Sequence, residues 1–67
     1  MAVIKVIEVI AKSKKGWEEA AQVAVDEASK SVENIESIYI KEFKASVNEN
    51  RVVEYLVNAK ISFTVKD

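Results

Sequence analysis

With no His and no Cys, this 67-residue chain has only carboxylates, lysines and hydroxyls with which to do chemistry. General acid–base work near neutral pH and thiol nucleophiles are therefore missing. Ser13, Ser62 and Thr64 lack the base and orienting acid that activate a hydroxyl, and the single glycine, Gly16, rules out a glycine-rich phosphate loop. The residues argue against an enzyme. A hard cation takes about six to eight oxygen ligands, and no stretch has the ligand spacing of a helix–loop–helix calcium loop. Glu36, Glu42, Glu49 and Glu54 stand singly on strand or turn positions. A cation site would have to collect such carboxylates from several copies around a symmetry axis. Glu18 with Glu19 and Asp26 with Glu27 read as an exposed helix face. Lys12, Lys14 and Lys15 crowd a helix start, where the backbone dipole favours anions. Lys14 and Lys15 are thus the candidate contacts for a phosphate or acidic group, while Trp17 reads as core.

The elements that must position these groups are few. From Arg51 to Lys66 apolar residues recur at every second place, Val53, Tyr55, Val57, Ala59, Ile61, Phe63 and Val65, which predicts one long strand buried on one side. At about 3.3 Å per residue it would reach roughly 45 Å, against about 28 Å across a compact globule of this length. A strand too long for its own domain predicts an obligate assembler. Val3 to Ala11 is a first strand with apolar groups on both faces. Ser13 is the expected N-cap of a helix whose stripe is Trp17, Ala20, Ala21, Ala24, Ala28 and Val32, with Asp26 and Lys30 as an i,i+4 pair. Ile35 to Val47 is the second strand. A hairpin centred on Glu49 would pair Val47 with Arg51, Ala45 with Val53, Phe43 with Tyr55, Tyr39 with Ala59, and Lys44 with Glu54. That register puts Ile38, Ile40, Val52 and Leu56 together on the face away from the helix, so Ile38, Ile40 and Leu56 are the candidate subunit contacts. The expected fold class is α+β: strand, helix, strand, strand, with a three-stranded antiparallel sheet wrapping one helix.

Composition bounds the rest. Residues 1–67 form one domain, with no proline, linker or repeat, and a core this small needs a staple that the chain does not carry. Oligomerisation is the remaining source of burial. Ten basic residues interspersed with eleven acidic ones leave no basic field for nucleic acid. No run approaches the roughly 20 apolar residues of a membrane span, and Lys5 and Glu8 interrupt the first apolar run. A soluble, cytoplasmic protein is expected.

At this point the chain resembles the dodecins, small strand-helix-strand-strand proteins that assemble as hollow dodecameric shells. The resemblance rests on Lys5-Val6-Ile7-Glu8-Val9-Ile10, then Ser13, then Gly16-Trp17-Glu18-Glu19-Ala20-Ala21, and on the closing Lys60-Ile61-Ser62-Phe63. It implies a homo-oligomer that binds a small molecule or ion. Most characterised dodecins stack a flavin on a Trp of the second strand and hold its edge with a Gln of the third. Here the aligned positions are Ser37 and Leu56, which have neither π surface nor amide. The pattern is closer to the subgroup called calcium dodecins. On that resemblance calcium is the expected ion, with Glu42 aligned to a family cation position and flavin disfavoured. A flavin- or coenzyme A-binding shell with an altered pocket and a purely structural assembly module are the alternatives.

Overall fold

A computed structural model describes residues 2–66. β1 spans Ala2–Ser13, α1 Trp17–Ala28, β2 Ile35–Asn48 and β3 Arg51–Lys66. β3 is the middle strand of one antiparallel sheet ordered β1-β3-β2. The sheet is as long as the sequence predicts, since the molecule measures 52 × 19 × 13 Å. α1 lies on one face, and its small residues Ala20, Ala24 and Ala28 are buried against Val57, Ala59, Ile61 and Phe63 of β3. Alanine at every fourth place lets the helix approach the sheet closely, so two large side chains, Val57 and Ile61, become fully buried. Ile7, Val9, Ala11, Val32, Ile35 and Ile38 pack around them.

The register differs from expectation at three places. The hairpin turn is two residues, Glu49 and Asn50, both at positive φ (51° and 65°), between the pair Asn48 and Arg51. Two consecutive left-handed residues are the primed turn that matches strand twist. With Val53 as an extra residue between the pairs Val47–Val52 and Ser46–Glu54, Ala45 faces Tyr55, Phe43 faces Val57, Lys44 faces Leu56 and, past a further shift, Tyr39 faces Lys60. Glu54, expected opposite Lys44, lies opposite Ser46 and reaches Lys12 at 3.9 Å. A second register shift falls between Ile40 and Glu42, where Lys41 is the extra residue. One extra residue flips the faces. Ile38 and Ile40, opposite Ile61 and Ala59, thus lie on the helix-covered face, whereas Leu56, flanked by Lys12 and Lys44, lies on the open one. The three residues grouped as one contact patch do not share a face, and Val52 pairs with Val47 rather than joining them.

Local chemistry at the helix also differs. Gly16 is the N-cap, without a side-chain cap bond. Ser13 instead ends β1, where its buried hydroxyl accepts from the Lys15 N–H at 2.9 Å and donates to Glu19. Lys30 pairs with Glu27 at 2.6 Å rather than with Asp26, which accepts from Gln22 at 2.9 Å. Glu27 holds the Lys30 ammonium above its ordinary pKa.

Candidate functional site

The open face of the sheet carries the side chains that the fold does not use for its core. Along β1 these are Ile4, Val6, Glu8, Ile10 and Lys12, since each pairs with an outward position of β3. β3 contributes Leu56, Asn58, Lys60 and Ser62, and β2 contributes Ser37, Tyr39, Glu42 and Lys44. Ile4 and Val6 lie towards one end, opposite Thr64 and Ser62, while Ile10, 71% exposed, stands opposite Asn58. Beside Ile10 the centre is polar, with Glu8, Lys60, Asn58 and Glu42.

At that centre the extra residue Lys41 reaches over β3 to Glu8 on β1, with Nζ to Oε2 at 3.0 Å. The Lys41 hydrogen bond and charge, with smaller help from Lys60 and Asn58, hold the Glu8 carboxyl below the usual carboxylate range. Beside this pair, Glu42 stands directly opposite Asn58. Glu42 is exposed, and the Asn58 Oδ1 atom is buried without a hydrogen-bond donor. A buried acceptor without a partner costs about 1–3 kcal/mol, which makes this oxygen a place where a water or cation would be stabilising. Sequence reasoning singled out Glu42 but missed Asn58. Nothing in the sequence set it apart, since Asn58 falls with Lys60 and Ser62 on the outward positions of an alternating strand.

Two oxygens are far short of a calcium shell. Among the described residues no three acidic, His or Cys side chains gather as a metal-holding group. Three other carboxylates have partners: Glu36 accepts from the Thr64 hydroxyl, Glu54 faces Lys12, and Glu19 takes Ser13 and, at 3.7 Å, Lys15. Glu49 sits in the hairpin turn. A complete shell at Glu42 needs oxygens from other copies.

Ser37 and Leu56 both lie on the open face, yet they are not together. Ser37 pairs with Ser62, six residues along β3 from Leu56, or about 20 Å. A pocket using both positions would take them from different copies. Lys14 and Lys15 are exposed at the head of α1. There Glu18 and Glu19 already complement the helix dipole, and Lys15 faces Glu19, so the electrostatic reason for an anion is met within the chain. Trp17, expected in the core, is 39% exposed at that end of the sheet, edge-on to Phe43 at 5.8 Å and to Tyr55 at 5.0 Å, and its indole N–H donates to the Lys44 carbonyl at 2.8 Å.

Three comparisons bear on this geometry. Residues 3–66 match the family model described as Dodecin. The curated protein named calcium dodecin from Mycobacterium tuberculosis is 33% identical over 66 residues, covering 98% of this chain and 93% of that protein. A solved structure of the same name, described as having a novel calcium-binding site, superposes with a TM-score of 0.82 at 33% identity over 96% of this chain and 91% of its own. A point variant of the dodecin from Thermus thermophilus gives a TM-score of 0.93 at 28% identity, with both chains fully covered.

Proposed function

The chain belongs to the dodecin family, and from that premise we propose that it is a non-enzymatic subunit of a hollow homo-oligomeric shell, of dodecameric size, that binds divalent cations, calcium first among them. The observation that carries the cation reading is Glu42 opposite the unpartnered Asn58 oxygen, on a face that a lone chain leaves open. One copy supplies a carboxylate and an amide oxygen, both hard ligands. Symmetry-related copies supply the remainder, which couples cation binding to assembly. The similarity to a protein named calcium dodecin supports the choice of ion.

Flavin fits less well. Ser37 and Leu56 provide no stacking surface and no edge hydrogen bond at the positions where the family resemblance places them.

The test is thermal melting of the assembled protein with calcium and with chelator. A ligand that binds only the assembled state stabilises it by about RT ln(1 + [L]/Kd), or about 2.7 kcal/mol per site at a hundred times Kd. Calcium should raise the melting temperature, chelator should lower it, and Glu42→Gln should remove most of the difference. An equal calcium response in the variant would show that Glu42 is not a ligand.

A further inference from the structure

Lys41 holds a position that strand pairing does not need. It is the residue by which β2 exceeds β3 between the pairs of Ile40 and Glu42, and an extra residue of this kind re-aims the side chains beside it. Its ammonium lies 3.0 Å from Glu8, which belongs to the opposite edge strand, two strand spacings or about 10 Å away. As a source of stability the contact is weak. Its two side chains are 41% and 47% exposed, and a pair this open to water gains little beyond the cost of ordering two long side chains.

The ammonium does, however, sit among oxygens. Glu42 stands opposite Asn58 on one side of β3, and Glu8 stands opposite Lys60, two residues along β3 from Asn58, on the other. Asn58 and Lys60 both favour the charged form of Glu8, though Lys41 does so most. The Asn58 Oδ1 atom is buried and accepts from no donor, so Lys41 neutralises Glu8 without satisfying the oxygen next to it. Two carboxylates and an amide oxygen are the donor types that a hard divalent ion takes. A single ammonium serves only one of the three.

We propose that Lys41 is a tethered counter-ion of the Glu42 site: a divalent cation binds by displacing the Lys41 ammonium from Glu8, and Glu8 then becomes the second carboxylate ligand. The inference rests on the cation reading above and adds to it a further ligand and the residue that sets selectivity. A monovalent ion would replace one single charge by another, whereas a divalent ion brings one charge more to the same two carboxylates. The exchange therefore selects for charge. An ammonium about 5 Å from a divalent ion opposes it by a factor on the order of ten even at the dielectric constant of water, so Lys41 has to leave. Its flexible four-carbon stem lets it do so without any change in the register of β2.

The test is calcium titration calorimetry of the assembled protein at fixed pH and ionic strength. Lys41→Gln should tighten calcium at least tenfold and Glu8→Gln should weaken it at least tenfold, while Lys41→Arg, which keeps the charge, should stay near the unaltered protein. Both ends of the pair are open to solvent, so neither neutral variant strands a buried charge. A second measurement needs no variant. Saturating calcium should free the Lys41 amine, so that acetic anhydride labels it at least threefold faster, as peptide mass spectrometry reports. A merely structural ion pair would change melting in Lys41→Gln and Glu8→Gln but leave both calcium affinity and the labelling rate as they are. That result, with binding still lost in Glu42→Gln, overturns the exchange and leaves the Glu42 reading standing. Equal calcium affinity in all the variants, Glu42→Gln included, overturns both.

Discussion

The residue that sets the character of the open face is Lys41, because as the extra residue of its strand it can cross β3 to reach Glu8. Lys41 depresses the Glu8 pKa, so the pair contributes stability above the unfolded carboxyl pKa, about 4.3, and loses it as pH falls through the lower folded value. The melting difference between the unaltered chain and Glu8→Gln should therefore be present at pH 7 and close below about pH 4. A difference that persists unchanged at pH 3 would remove the ion pair from the account. Flavin binding also belongs to this scale. Titrated riboflavin or FMN should keep nearly all its fluorescence, and Ser37→Trp with Leu56→Gln should gain quenching only in the assembled protein, because the two positions lie far apart on one chain. Stoichiometric quenching by the unaltered protein would mean that another aromatic group, such as Tyr39, holds the ring. Most candidate residues were legible in the sequence as types, but their neighbours were not. Ser13 was read as a cap and proved to be the end of β1, because Gly16 leaves Ser13 too far back to face the first free amides of α1.

At the scale of elements, strand and helix existence followed from periodicity, and register did not. The Glu49-Asn50 turn requires two left-handed residues, each of which costs a non-glycine residue about 1–2 kcal/mol, with Asn penalised least. Asn50→Val should destabilise the protein by about 1–2 kcal/mol and Asn50→Gly should not, as denaturant midpoints at constant m-value would report. An equal loss for both would mean that the side chain of Asn50, not its backbone, holds the turn. Three residues of turn chemistry, Asn48-Glu49-Asn50, were visible; centring on the middle one displaced Val47 by one place, and the extra residue Val53 displaced Ala45, Lys44 and Phe43 by two. The shift at Lys41 then undid the assignment of faces. Its trace in the sequence is a change of phase, with Ile38 and Ile40 on even positions and Phe43 and Val47 on odd ones. Strict alternation across that break sent Ile38 and Ile40 to the wrong face, since a slip of one residue exchanges the two sides of a sheet.

For the whole molecule, length was the most legible property of all. The uninterrupted alternation from Val53 to Val65 predicted a strand longer than a compact domain, and the 52 Å molecule bears that out. What the sequence did not display is how little of that length α1 covers, because coverage depends on where β1 stops against β3. A core with two fully buried large side chains leaves little free energy to offset the chain entropy of 67 residues. The remaining burial has to come from other copies, and a cation shell centred on Glu42 has to be completed by them as well. Both claims stand on assembly, which native mass spectrometry at micromolar concentration tests most directly. The account predicts a single particle of dodecameric mass with no folded monomer beside it, and a stable, folded monomer under those conditions would contradict it.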